Sequence, residues 1–110
     1  MPPKTYLGEF EQMVLLAILQ GGAEANALQI RRELEASADR KVSKGAFYTT
    51  LDRLEKKGYL TWRARVPDEG RNGLPQRHFQ VTPEGLHQLR RTRDAVRRLS
   101  RGLEGVLDSA

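Results

Sequence analysis

Between Leu7 and about Gln20 the chain is almost continuously apolar. Phe10, Met13, Val14, Leu15, Leu16, Ala17, Ile18 and Leu19 leave only a narrow polar face near Glu11 and Gln12. This pattern predicts a helix covered on more than one side, ended by Gly21-Gly22, because glycine takes the left-handed turn after a helix without steric penalty. Asn26 is placed to cap a second helix from Ala27 to about Ala36. Ala27, Leu28, Ile30 and Leu34 form its expected buried side, with Arg31, Arg32, Glu33 and Glu35 toward water. A third helix is predicted from Ser43, another N-cap type, to Lys57, stopping at Gly58. Phe47, Leu51 and Leu54 stand at i, i+4 and i+7 and define its core face.

The period then changes from helical to alternating. Tyr59 to Val66 is rich in aromatic and β-branched residues, and Arg77 to Val81 alternates polar with apolar. The stretch between them, Pro67 to Gln76, is full of turn formers and includes Asn72-Gly73, which predicts a β-hairpin with a long tip. Thr82-Pro83-Glu84 opens a last helix with an N-cap, a proline in the first turn and an acid favoured by the helix dipole. This helix is expected to reach about Leu107, with Gly102 and Gly105 weakening its end. The order helix, helix, helix, strand, strand, helix predicts a mainly α (α+β) winged helix: a three-helix core, a two-stranded β wing and a long C-terminal dimerisation helix. The expected division is residues 1–82 for the winged domain and 83–110 for the dimerisation helix.

Composition adds limits. A chain of 110 residues, 38% hydrophobic and 30% charged, suffices for one modest core. It has no cysteine, hence no disulfide framework, thiol nucleophile or Cys-type zinc site. No apolar run approaches the roughly 18 residues of a membrane span, and Met1-Pro2-Pro3-Lys4 lacks the order of a secretory signal. A cytoplasmic location is expected. The net charge of +5 directs attention to a polyanionic partner.

The third helix and the hairpin carry the candidate chemistry. With Phe47, Leu51 and Leu54 buried, a step of about 100° per residue points Gly45, Thr49, Asp52 and Lys56 outward, flanked by Tyr48 and Arg53. A first turn offering Ser43, Lys44, Gly45, Tyr48 and Thr49 suits a major groove: its N–H groups can meet phosphates and its small residues let the backbone approach base edges. Arg71, Gln76 and Arg77 in the hairpin would lie against the neighbouring backbone or minor groove of double-stranded DNA. The competing reading is an exposed amphipathic helix with an ordinary polar face, to which the carboxylate of Asp52 is suited.

The last helix shows a heptad register in Leu89, Thr92, Val96, Leu99, Leu103 and Val106. Left wet, such a seam would forfeit on the order of 1.5–3 kcal/mol per large side chain. A second subunit is therefore expected to cover it, with Phe10 and Val14 of the apolar first helix contributing to the homodimer. Arg90, Arg91, Arg97, Arg98 and Arg101 lie away from the seam as a solvated face.

Three segments in order resemble the PadR family of bacterial winged-helix transcriptional regulators, which are mostly repressors. They are Leu7-Gly8-Glu9-Phe10-Glu11, then Val42 to Gly58 (Val-Ser-Lys-Gly-Ala-Phe-Tyr-Thr-Thr-Leu-Asp-Arg-Leu-Glu-Lys-Lys-Gly), then Phe79-Gln80-Val81-Thr82-Pro83-Glu84-Gly85. The resemblance covers roughly Tyr6 to Leu89. It implies DNA contacts from Tyr48 and from the helix start at Ser43–Gly45, phosphate contacts from the wing, and dimerisation through the terminal helices. The chain departs from the pattern in two places. Ala46-Phe47-Tyr48-Thr49 stands where the family often has Thr-Leu-Tyr-Pro, and Asn72 to Phe79 replaces a Gly-Arg-Pro-Arg-Lys-like run before a tyrosine.

The function expected is sequence-specific, non-enzymatic DNA binding at a palindromic operator; the family resemblance implies that this binding represses transcription. The alternative is a winged-helix module that binds protein. No cofactor and no metal is expected: His78 and His87 have no partner at ligand spacing. Nor is there a Gly-rich phosphate loop or a recognisable pair of catalytic acids. Trp62 is read as a wing-packing residue; the alternative, implied by the family resemblance, is that it lines a small-molecule effector pocket.

Overall fold

The computed structural model describes residues 6–66 and 75–109. The chain runs through α1 (Glu9–Gly21), a short 3₁₀ turn (Gly22–Glu24), α2 (Ala27–Ala38), α3 (Lys44–Lys56), β1 (Leu60–Arg65), β2 (Gln76–Val81), α4 (Pro83–Ser100) and α5 (Glu104–Leu107). This is an α+β winged helix. Its two strands pair antiparallel from Leu60↔Val81 to Arg65↔Gln76. The Asn72-Gly73 tip falls outside the described residues.

Each of the three capping residues read from the sequence caps its helix. Asn26 accepts a hydrogen bond from the Gln29 amide at 2.9 Å, Ser43 from Ala46 at 3.2 Å and Thr82 from Gly85 at 3.0 Å. Such caps satisfy backbone donors that a helix cannot pair itself. Gly22 and Gly58 end α1 and α3 at φ values of +56° and +81°, where an L side chain is strained. Thr82 does a second job: its hydroxyl donates to the Gly58 carbonyl at 2.6 Å, tying the end of the wing to the end of α3.

The core gathers Val14, Leu15 and Ile18 of α1, Ile30 and Leu34 of α2, Phe47, Leu51 and Leu54 of α3, and Leu60, Phe79 and Val81 at the base of the wing. Ala25 joins the wing, accepting a hydrogen bond from the Phe79 amide at 2.9 Å. Leu28, expected inside, is exposed. Ile30 and Leu34 already fill the face that α2 turns to the core, and Leu28 lies on another.

The last helix differs from expectation in two ways. It ends at Ser100, because Gly102 takes φ +82°, and only the four-residue α5 follows. Its first half also belongs to the core shared with α1. Gly85, Leu89 and Thr92 are buried, and the Thr92 hydroxyl accepts a hydrogen bond from the Leu7 amide at 3.2 Å.

Glu11, read as part of a polar face, is 8% exposed. Its carboxylate accepts from the Gly8 amide at 2.9 Å and pairs with the Lys57 ammonium at 3.0 Å, joining the start of α1 to the end of α3. Burial works against the charge, but the Gly8 amide, Lys57 and nearby Arg53 outweigh it and hold the Glu11 carboxyl below the usual glutamate range. A depressed folded-state pKa adds stability that is fully present above the unfolded-state value and is lost as pH falls through the folded-state one. Glu11→Gln should therefore lower the melting temperature at neutral pH and flatten its decline on acidification, read by thermal unfolding across an acid series. An acid limb as steep as in the wild type would remove Glu11 from this role.

Candidate nucleic-acid interface

The outer face of α3 follows from the burial of Phe47, Leu51 and Leu54 on its other side. Lys44, Gly45, Thr49, Asp52, Arg53 and Lys56 are exposed and Tyr48 is half-buried. Ser43, also exposed, spends its side-chain oxygen on the Ala46 amide and so satisfies one of the backbone donors that the first turn cannot pair itself. Beyond its chain neighbours and the adjoining backbone of α3, nothing lies within 4 Å of where a Gly45 Cβ would stand, so the backbone there is open to close approach by a ligand.

The candidate residues form two groups. Ser43, Lys44, Gly45, Tyr48 and Thr49 occupy the first two turns of α3. Arg53 and Lys56 lie near its other end, roughly 15 Å further along at the rise of an α-helix. Among the described residues, ion pairs join Arg40 to Glu9, Lys41 to Glu35, Lys57 to Glu11 and Arg93 to Asp94. None of these involves Lys44, Lys56 or Arg77, and Arg53 acts only at longer range, on the Glu11 carboxylate. Asp52 is the exception in sign, exposed among them.

The wing supplies Gln76 and Arg77 beside α3. Gln76 accepts a long 3.5 Å hydrogen bond from the Asn26 side chain. Arg77 lies over the Tyr48 ring, 5.7 Å from its centroid, and over Trp62 and Phe79 at 5.2 and 5.5 Å. Arg71 falls outside the described residues. A cleft of 380 Å³ between the start of α2, Tyr48 and the wing also takes in Arg31, whose guanidinium stands 6.0 Å from the Phe47 ring centroid. Sequence reading placed Arg31 only on the wet side of α2. Its proximity to Tyr48 and Arg77 arises from tertiary packing and leaves no local signal.

The residues assigned to dimerisation also divide. Val14 is fully buried in its own subunit, and Leu89 and Thr92 are nearly so, because α1 and the first half of α4 pack on each other. These three are core residues. Phe10 is half-buried, with the Arg40 guanidinium 5.1 Å from its ring centroid. Val96, Leu99, Leu103 and Val106 are exposed, as are Leu16 and Leu19 on α1. Leu16, Leu19, Leu86 and Val96 line an apolar groove of 460 Å³ between α1 and α4, with Arg90, Arg93 and Arg97 along it.

His78 packs, with its Nδ1 2.8 Å from the Ala23 carbonyl oxygen. Among the described residues no cluster of histidines and acids could hold a metal ion, and no helix is long and apolar enough to cross a membrane.

Residues 15–91 match the family described as "Transcriptional regulator PadR-like family". Solved structures share the fold. A PadR family transcription regulator from Clostridium difficile superposes with a TM-score of 0.72 at 15% identity, covering 91% of this chain and 99% of that one. A PadR-like transcriptional regulator from Bacillus cereus gives 0.70 at 21% identity, covering 89% and 90%. A transcriptional regulator from Streptococcus gives 0.63 at 25% identity, covering 88% and 90%. No curated protein matches the chain. The family match spans well over half the sequence and its members regulate transcription rather than catalyse reactions, so this chain belongs to the PadR-like family of DNA-binding transcriptional regulators.

Proposed function

We propose that this protein represses transcription by binding, as a homodimer in the cytoplasm, a two-fold symmetric operator that overlaps a promoter. The observation that carries this reading is the start of α3, where the exposed cation Lys44, an open Gly45 and the half-buried Tyr48 lie together in the first two turns. In a two-fold dimer the two copies of this face meet major grooves about 10 base pairs apart, or a multiple of that. Lys44, Arg53 and Lys56 neutralise phosphates, and Tyr48 and Thr49 meet base edges. Repression follows by occlusion of the promoter.

Genome-wide capture of protein-bound DNA fragments tests the reading and yields the operator. A reproducible two-fold motif beside promoters is the expected result. Salt-sensitive capture without a motif would leave an architectural DNA-binding protein, and no enrichment would favour a protein-binding winged helix. With the operator in hand, Tyr48→Ala should weaken operator binding about tenfold or more and random-duplex binding much less, the range of one lost base contact. Equal loss on both duplexes would remove Tyr48 from recognition.

A further inference from the structure

Arg77 was expected to touch DNA, yet its surroundings give it different work. Strand register pairs Trp62 with Phe79 and Ala64 with Arg77, so all four share one face of the wing. Opposite Arg77 the Ala64 side chain is a single methyl group, which leaves room for the guanidinium to lean diagonally toward Trp62. It lies 5.2 Å from the Trp62 ring centroid, 5.5 Å from Phe79 and 5.7 Å from Tyr48. Three elements thus meet at one cation. Tyr48 also packs edge-on to Phe47, at 5.3 Å between centroids and 71° between planes.

Beyond Leu60 every residue of β1 is exposed, and a 3.4 Å hydrogen bond from the Arg65 guanidinium to the Ala23 carbonyl ties the far end of that strand to the turn after α1. Arg77 is itself half-buried, unlike the exposed cations of α3, and among the described residues no carboxylate pairs with it. The faces of the rings supply the negative potential instead.

We propose that Arg77 is a positioning residue: by lying among Tyr48, Trp62 and Phe79, it fixes the wing against α3 and sets the Tyr48 ring for recognition, without contacting phosphate. The inference rests on the DNA-binding role proposed above for Tyr48. A planar guanidinium can lie against several rings, whereas the compact ammonium of lysine serves fewer of them. The site therefore asks for arginine rather than for positive charge alone.

The test uses the whole protein with Arg77→Met, which keeps a long apolar stem without charge, and Arg77→Lys, which keeps the charge. Trp62 is the only tryptophan, so its emission reports the cluster directly in the free protein. Thermal unfolding establishes that each variant is folded. Arg77→Met should shift the Trp62 emission and lower the ratio of operator to random-duplex binding roughly tenfold, the range of a partly buried cation–π contact. The salt dependence on random duplex should stay as in the wild type, and Arg77→Lys should not restore the ratio. A lost phosphate contact would instead flatten the slope of log affinity against log salt by about 0.9. That flattening, or full restoration by lysine, would overturn the proposal. If the wild type shows no operator preference, the proposed function falls separately. The cluster is then judged by emission alone: an Arg77→Met shift upholds it and an unchanged spectrum overturns it.

Discussion

Gly85→Ala should lower the melting temperature by about 10 °C, although glycine-to-alanine changes inside helices ordinarily stabilise by up to about 1 kcal/mol. The sign reverses because of what the added methyl group would meet. A Cβ on Gly85 would stand 2.2 Å from the Tyr59 carbonyl oxygen and 2.8 Å from Val81 Cγ1. The Val81 side chain can rotate away, but the Tyr59 backbone is held by hydrogen bonds on both sides. Its carbonyl accepts from the Thr82 amide at 3.0 Å and its own amide donates to Leu54 at 2.9 Å. Forcing α4 outward costs about 1–3 kcal/mol in a packed interior, and each kcal/mol moves the melting temperature of a domain this size by roughly 4 °C. Gly45→Ala is the matched control, since nothing lies within 4 Å of a Cβ there. It should leave the melting temperature level or raised. If both variants shift upward alike, α4 does not approach Tyr59 as described.

The same glycine marks how far sequence reading reaches. Thr82-Pro83-Glu84-Gly85 was legible as a helix start because capping is local chemistry, with every partner within three residues. Why position 85 is glycine was not legible, since the carbonyl it accommodates belongs to Tyr59 and is brought there by the hairpin. Glu11 repeats the lesson: on the α1 sequence it is one more polar residue, and its partner Lys57 is 46 positions away. The heptad in the last helix misled in a third way. Side-chain period alone carried it through Gly102, where the backbone turns left-handed, and it could not show that α1 already covers Leu89 and Thr92. In the site, the outward face of α3 was legible because its buried face is periodic. The place of Arg77 among three rings was not, because strand register and the approach of α3 decide it.

Leu16→Lys should convert the proposed dimer, twice 12.5 kDa, into single chains, read by sedimentation at micromolar concentration. Leu16 is 51% exposed within one subunit, so lysine, a good helix former, leaves the fold intact. In the proposed homodimer the groove containing Leu16, Leu19 and Val96 is covered by the second copy, and burial of each such side chain contributes on the order of 1.5–3 kcal/mol. Two-fold symmetry makes the substitution act twice, adding an unpaired ammonium to the interface on each side. The choice of charge matters. Arg90, Arg93 and Arg97 border the groove, so a glutamate at position 16 could gain a partner there, whereas a lysine meets like charge. Loss of the dimer should carry operator binding with it by 10²–10⁴, on the order of the avidity gained when two modules bind as one. Leu99→Asp separates the two helical surfaces, because Leu99 is 80% exposed and outside the groove lining. If it alone dissociates the protein, the subunits meet along the exposed end of α4. If neither variant changes the mass, neither surface is the interface, and the spacing expected between half-sites loses its physical basis.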